Sequence, residues 1–276
     1  MATKTLNENI NQAISDFNGI KQAIIDKGVQ VPSGTPTSQY GDKIGEIQSG
    51  GGDTTAKDMI ERKVTSITVP SDVTTIGSYA FYTWSKLTSI SLPNGVTSIG
   101  TSSFEGCKNL VLHSLPTSIT YIGTKAFYNC QKLDLSVLPT GIKTIESSAF
   151  YGCTSLALTS LPSGLTEISS NVFYKCSKLA LTTLPTQTTR ISDYAFSNCT
   201  NLAITVIPAS VIRIARYAFG DCKGLTTITF EGKPTYLDGP VFYNCTNMTS
   251  ITCPWAEGEV SGAPWGATKA TITYTG

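Results

Sequence analysis

Apolar residues recur along most of this chain with a period of 23 residues. Phenylalanine holds one column without any insertion, at Phe81, Phe104, Phe127, Phe150, Phe173, Phe196, Phe219 and Phe242. Isoleucine or leucine stands five residues before each phenylalanine, and leucine or methionine stands six residues after it. One copy cannot bury its own apolar residues, whereas stacked copies bury a continuous core. The period therefore predicts a solenoid in which the phenylalanines form an internal ladder.

Each 23-residue coil is expected to contain two short strands and one helical turn. In one coil, residues 119–122 predict a strand, residues 124–130 a helical turn, and residues 133–138 a second strand that Pro139 closes. Neighbouring coils should pair in parallel, about 4.8 Å apart. The predicted fold class is an α/β-type repeat solenoid of the leucine-rich kind, preceded by an N-terminal α-helical segment.

The second strand occurs in two sequence forms. The outer copies read Leu-x-x-Ile-x-Leu, as in Leu87, Ile90 and Leu92, and the middle copies read Leu-x-Leu-x-x-Leu, as in Leu156, Leu158 and Leu161. Moving the inward residue by one place normally turns a strand over, unless a bulge absorbs the shift. We therefore expect the sheet to change its local geometry near residues 110 and 225.

The N-terminal segment has the signals of a helix. Thr5 and Glu8 form a capping box, and Gly28 is a C-cap, which predicts a helix over residues 6–27. An apolar heptad seam runs along it through Leu6, Ile10, Ala13, Phe17, Ile20 and Ile24. Two interpretations are open: the helix packs on a second helix that carries Tyr40, Ile44 and Ile47, or it associates with other copies, plausibly as a homotrimer.

Composition shifts divide the chain into four parts. Residues 1–48 are the helical segment, residues 49–55 a glycine-rich linker, residues 56–253 the solenoid with a degenerate N-terminal cap, and residues 254–276 a C-terminal cap. In the last part, Trp255 and Trp265 are expected to cover the final coil, and residues 270–274 alternate like a strand.

The segments IGTKAFYNCQKL and SLPSGLTEI resemble the BspA-like leucine-rich repeat family. The resemblance covers about residues 58–254. It implies a solenoid fold and a binding role, since the family includes bacterial surface adhesins, and it does not imply an enzyme.

Residues 5–48, which include GVQVPSGTPTSQYGDKIGEI, resemble the N-terminal region of tail-associated structural proteins from phages and prophages of Gram-positive bacteria. The closing run PWGATKATITY also resembles the ends of phage-encoded repeat proteins. The polar start MATKTLNENINQ lacks the features of a secretory leader. We therefore expect a virion protein made in the bacterial cytoplasm, with the bacterial cell surface as the alternative location.

Charge and composition narrow the classes of partner. Charged residues are 14% of the chain and the net charge is +1, which predicts no general attraction to nucleic acid or to a membrane surface. No apolar run is long enough to suggest a membrane span.

The chain offers little reactive chemistry. Seven of its eight cysteines form a column three residues after phenylalanine, from Cys107 to Cys245, where the first copy has Trp84. Buried free thiols explain this column, with disulfides between neighbouring coils as the alternative. The sequence contains no Cys-x-x-Cys pair that would predict a metal site. His113, the only histidine, has no nucleophile placed beside it. We expect no cofactor, no metal and no enzymatic activity.

Two sets of surface residues are candidates for binding a host-surface glycan, a host-surface protein or another virion protein. The first is a tyrosine stripe directly after phenylalanine, at Tyr82, Tyr128, Tyr151, Tyr174 and Tyr243. Such rings either stack on sugars or a protein partner, or pack over one another to seal the bend. The second set combines arginine with tyrosine at Tyr121, Arg190, Tyr194, Arg213, Arg216, Tyr217 and Tyr236. These residues either form a binding hot spot, where both residue types are common, or belong to an ordinary solvated face.

Overall fold

The computed structural model describes residues 64–276, which form a parallel β-solenoid of about nine turns. Its strands are β1 Ser66–Thr68, β2 Thr75–Ile76, β3 Ser89–Ser91, β4 Ser98–Ile99, β5 Tyr121–Ile122, β6 Thr144–Ile145, β7 Glu167–Ile168, β8 Arg190–Ile191, β9 Val206–Ile207, β10 Arg213–Ile214, β11 Thr227–Phe230, β12 Tyr236–Leu237, β13 Ser250–Cys253 and β14 Thr271–Tyr274. The expected N-terminal helix, heptad seam and linker lie in residues 1–63, outside the described residues.

The strands before each bend build two lateral sheets. β2, β4, β5 and β6 form the first, and β7, β8, β10 and β12 form the second. All pairs are parallel, and equivalent residues pair between neighbouring coils, as Tyr121 does with Thr144. Between β6 and β7 the strand pairing lapses, and the Ser169 hydroxyl donates to the Ile145 carbonyl at 2.7 Å instead. The predicted parallel stacking of coils is confirmed.

The segment of each coil that follows the bend is called the strand side below. Its structure is not uniform along the solenoid. β1 pairs with β3 at one end, and β9, β11, β13 and β14 pair at the other. On this side of the described coils between β3 and β9 no strand forms, so the prediction of a second strand over residues 133–138 is wrong. One hydrogen bond per coil remains in most of this stretch, such as Ala157 N to Leu135 O at 3.2 Å.

The sequence change that was expected to cause a bulge explains this loss. Leu135 and Leu138 are both buried although they are three residues apart, and a strand turns only alternate residues to the same side. The predicted change near residue 110 is confirmed. The return of the sheet comes one coil earlier than predicted, because Val206 and Ile207 of β9 already pair with Thr229 and Phe230.

The bend that carries phenylalanine is not helical, and the predicted helical turn over residues 124–130 is wrong. A helix would keep its N–H groups within one coil. Here every second N–H closes a tight turn inside the coil, as Ala126 N does to Gly123 O at 3.1 Å. The intervening N–H groups donate to the next coil, as Phe127 N does to Ala149 O at 2.8 Å. A hydrogen-bond ladder between coils therefore passes through the bend itself.

Phenylalanine fills the inside of every bend. The eight rings are buried and stack face to face, with centroids 5.1 Å apart for Phe81 and Phe104 and 5.7 Å apart for Phe150 and Phe173. The predicted internal ladder is confirmed.

The cysteine column joins one coil to the previous one. The Cys153 thiol donates to the Phe127 carbonyl at 3.0 Å, and the same carbonyl accepts the Cys130 N–H at 3.0 Å. All seven column cysteines repeat this thiol contact. All eight cysteines are buried and none forms a disulfide, which agrees with the predicted buried thiols. The seven column sulfurs give the solenoid a row of small hydrogen-bond donors within an apolar core.

Both ends of the described solenoid continue the apolar core. Val64, Ile67 and Val69 are buried in the register of later coils, and β1 pairs with β3. At the other end, Trp255 and Trp265 are buried and contact Phe230 edge to face, at 5.2 and 6.2 Å between centroids. β14 forms over the predicted final strand and pairs with β13.

Candidate functional site

The tyrosines beside the bend form a longer stripe than the sequence column indicated. Six rings follow one another in contact: Tyr128, Tyr151, Tyr174, Tyr194, Tyr217 and Tyr243. Tyr194 and Tyr217 come from a different column, two residues before phenylalanine, in the coils where Ser197 and Gly220 follow phenylalanine. A tyrosine two residues before phenylalanine thus replaces the tyrosine that follows phenylalanine in other coils. This exchange is the sequence signal for the longer stripe. Tyr82 lies apart, in edge-to-face contact with Tyr79 at 5.7 Å.

The stacking of the stripe limits what it can bind. Tyr128, Tyr151 and Tyr174 stack face to face at 4.4 and 4.7 Å, so that their ring faces contact one another. Lys125 and Lys175 lie over the rings of Tyr128 and Tyr174, with Nζ at 5.5 and 5.3 Å from the centroids. Burial, with Tyr151 and Glu105 nearby, raises the pKa of Tyr128. A ligand would therefore meet ring edges and hydroxyls, which favours the sealing role over sugar stacking.

The arginine residues lie on the outward side of the second lateral sheet. Glu167, Arg190, Arg213 and Tyr236 directly precede the buried residues of β7, β8, β10 and β12, so they stand side by side in neighbouring coils. Ile212 precedes Arg213, and Arg216 follows β10 by two residues. We name Arg190, Ile212, Arg213, Arg216 and Tyr236 the arginine face.

Local contacts hold part of this face. Asp238 Oδ2 accepts from Arg213 Nε at 2.8 Å and lies 2.6 Å from a terminal nitrogen of the same guanidinium, which sits 5.8 Å from the Tyr236 ring centroid. Arg190 Nε lies 3.6 Å from Glu167 Oε1, which accepts a shorter bond of 2.8 Å from the Ser192 hydroxyl. Arg213 is thus fixed over Tyr236, whereas Arg190 is held loosely.

The other features of the face point outward. Arg216 is exposed and has no ion pair or side-chain hydrogen bond with any residue from 64 to 276. Ile212 is 55% exposed and Tyr236 is 57% exposed. Three of the four arginines in the chain belong to this face. Arginine presents a planar fork that matches a carboxylate, so the face has the chemistry of specific recognition.

Tyr121 does not join the arginine face. It lies on β5 of the first lateral sheet, two coils before Glu167 and beyond the interruption between β6 and β7. Burial and the nearby Glu146 raise its pKa. The structure therefore separates the predicted arginine–tyrosine set into three groups: Arg190, Arg213, Arg216 and Tyr236 on the face, Tyr194 and Tyr217 in the stripe, and Tyr121 alone.

Within residues 64–276, reactive side chains form no further site. His113 Nδ1 lies 2.8 Å from Asp134 Oδ2, with the His113 side chain 80% exposed. Burial raises the pKa of the Cys245 thiol to about 12 and that of the Cys253 thiol to about 11. Within residues 64–276, no cluster of three or more His, Cys, Asp or Glu residues could hold a metal ion. The same residues contain no helix long and apolar enough to cross a membrane.

A parallel solenoid with 23-residue coils, a buried aromatic ladder and a variable outer surface defines a leucine-rich repeat protein, a class typically made of binding proteins rather than enzymes. The BspA type leucine rich repeat region matches residues 60–180 and 166–258, and the chain belongs to this family.

Two crystal structures of leucine-rich repeat proteins are similar to this solenoid. The protein from Bacteroides ovatus ATCC 8483 is 27% identical, with a TM-score of 0.60, over 77% of this chain and 61% of its own length. The protein from T. pallidum is 30% identical, with a TM-score of 0.54, over 67% of this chain and 84% of its own. This chain thus spans less than two thirds of the B. ovatus protein. No curated protein matches the chain significantly.

Proposed function

We propose that this chain is a non-enzymatic, adhesin-like binding protein that contacts its partner through the arginine face. The observation that carries this proposal is the contrast between the two lateral sheets. Both have the same strand length and register, yet the outward residues are Thr75, Ser98, Tyr121 and Thr144 on one, and Glu167, Arg190, Arg213 and Tyr236 on the other. The fold does not require that difference, and arginine and tyrosine are enriched at binding hot spots.

The test is binding of the labelled full chain to intact bacterial cells, immobilised cell-wall glycans and host-surface proteins. The double variant Arg190→Ala/Arg216→Ala should bind at least tenfold more weakly, since truncating hot-spot arginines costs about 2 kcal/mol or more. The matched control is Lys143→Ala/Thr144→Ala on the first lateral sheet, which should bind as the unmodified chain does. An equal loss in both variants, or no binding by the unmodified chain, would contradict the proposal.

The finer part of the proposal places the protein on a phage or prophage tail, attached through residues 1–48. It is supported by the resemblance of residues 5–48 and of the closing run PWGATKATITY to phage-encoded proteins. The rival placement is the bacterial cell surface, supported by membership of the BspA-type family. Immunogold labelling of an induced culture with an antibody to the solenoid separates the two, since label would lie either on particles or on the cell envelope.

A further inference from the structure

The arginine face contains one guanidinium that the described protein leaves unpaired. Arg213 is bound by Asp238, and Arg190 lies near Glu167, but Arg216 has no such partner among residues 64–276. The chain uses lysine for most of its positive charges and places three of its four arginines here. A lysine would serve solubility equally well, whereas arginine offers two parallel N–H groups to a carboxylate or a phosphate.

Ile212, an apolar residue of the arginine face, differs from the residues at the equivalent position in other coils. The position two residues before the buried isoleucine or leucine is threonine in six of eight coils, and three of these threonines donate to the preceding coil, as Thr189 does to Thr166 O at 3.1 Å. Ile212 replaces threonine there and is exposed, and its carbonyl accepts the backbone N–H of Tyr236, an exposed residue of the next coil, at 3.1 Å. Exposed apolar side chains in neighbouring coils, close in sequence to an unpaired charge, are typical of a protein-binding surface.

The charges around Arg216 decide which kind of anion fits. Glu167, Asp193 and Asp238 lie in the same coils or the neighbouring ones, so three carboxylates match the three guanidinium groups in number, and two of them contact Arg190 and Arg213. A polyanion such as a phosphodiester or uronate polymer would meet repulsion along this surface. A single carboxylate on a polypeptide, flanked by an apolar side chain, would not.

We propose that the arginine face docks an extended polypeptide segment, with one carboxylate on Arg216 and one apolar side chain on Ile212 and Tyr236. This inference rests on the proposed binding function. Residues 212 and 216 are at most ~13 Å apart at ~3.3 Å per residue, so the two recognised side chains would stand no more than about four residues apart in the partner.

The test uses a displayed library of random 12-residue peptides selected on the full-length chain. Enriched peptides should contain Asp or Glu within about four residues of a large apolar residue. A synthetic representative should bind at least tenfold more weakly to Arg216→Gln and to Ile212→Thr, and more weakly as salt rises. Lys143→Gln, which removes a cation from the first lateral sheet, is the matched control and should leave affinity unchanged within twofold. Circular dichroism confirms that each variant is folded.

A double-mutant cycle identifies the carboxylate. Replacing the acidic residue of the peptide by its amide should weaken binding tenfold to the unmodified chain but not further to Arg216→Gln. An equal loss on both proteins would overturn the inference, as would enrichment of peptides without acidic residues. Polyglutamate and polyphosphate serve as polyanion probes, and tighter binding of either than of the selected peptide would also overturn it. If the chain binds cells or glycans yet selects no peptide, the inference fails while the proposed function stands.

Discussion

The bend and the strand side of each coil obey the same 23-residue period, but only the bend is uniform along the described solenoid. Every bend stacks a phenylalanine, and each of the last seven also carries the cysteine bond to the coil before it. On the strand side, strands stop after β3 and resume at β9. Equal periodicity therefore does not ensure equal local structure.

The bend and the strand side differ in what they require of the sequence in order to form hydrogen bonds with the next coil. In the bend, alternate backbone N–H groups reach the next coil whatever side chains they carry, as those of Gly106 and Asn129 do from equivalent positions. A strand instead needs alternate residues to face the core, and the middle coils bury residues spaced by two and then by three. If the stability of the solenoid resides mainly in the bend, changes in the bend should destabilise it more than changes on the strand side.

The largest effect is expected at alkaline pH. Burial raises the pKa of six bend thiols, Cys130, Cys153, Cys176, Cys199, Cys222 and Cys245, and that of Cys253 on the strand side. The folded state keeps these protons while the unfolded chain loses them above about pH 9, so their stabilisation is complete below that pH and is lost as pH rises. Each thiol that stays protonated only in the folded state lowers the free energy of unfolding by on the order of 1 kcal/mol per pH unit, and the contributions of the seven thiols have the same sign.

Urea unfolding followed by circular dichroism from pH 8 to pH 10.5 measures this loss. Cys199→Ser should make the pH dependence shallower by the share of one thiol. Stability that stays constant across this range would mean that the column is open to solvent.

The next largest effect separates the two sides directly. Phe150→Ala should cost about 3–5 kcal/mol, because it leaves a cavity between two stacked rings. Leu161→Ala, on the strand side, should cost less than about 2 kcal/mol, because Leu161 is only partly buried where no strand forms. Urea midpoints of the two variants give the comparison. Equal costs would show that the strand side is as important as the bend.

A smaller effect tests the thiol as a donor. Cys153→Ala removes the bond to the Phe127 carbonyl and should cost about 1–3 kcal/mol, the range for losing a buried hydrogen-bond partner together with some packing. Cys253→Ala is the strand-side control, since the Cys253 sulfur makes no hydrogen bond within residues 64–276. A ranking in which Cys253→Ala is the more harmful would show that packing alone explains the cysteines. Thermal unfolding at pH 7 is the measurement.

The smallest effect concerns residues 1–50, which belong to neither side. Their removal should shift the unfolding temperature of the solenoid by no more than a few degrees, because the linker over residues 49–55 is expected to be flexible and adjacent coils supply the stability. Light scattering should find the full chain trimeric through the heptad seam and residues 50–276 monomeric. Two monomers would mean that the helical segment packs on itself.

Much of the fold was accessible from the sequence because its signals are repeated. The phenylalanine column, the parallel stacking and the buried thiols each rest on seven or eight equivalent positions. The helical turn was predicted wrongly, although a signal against it was present. The position two residues after phenylalanine is Gly, Asn or Asp in six of eight coils, and Asn129 and Gly152 have φ values of 57° and 70° there. These residue types favour a left-handed backbone, which ends a helix.

The candidate site was only partly predictable. The sequence placed Tyr121, Tyr194 and Tyr217 with the arginines because their columns are near one another in each coil. The contacts instead join Tyr194 and Tyr217 to the tyrosine stripe, and the interruption between β6 and β7 separates Tyr121 from the rest. The position of a residue in the repeat fixes where its backbone lies in the coil. The direction of its side chain depends on the residues around it.

The sequence by itself determined the solenoid, its period, its internal ladder and the columns that face outward, because burial of a repeated apolar pattern has one economical solution. Only the tertiary structure decided which N–H groups bond within a coil and which bond between coils, where strands survive, and which guanidinium is left unpaired. Those features depend on distances between residues that are 22 or more positions apart, and periodicity alone carries no information about such distances.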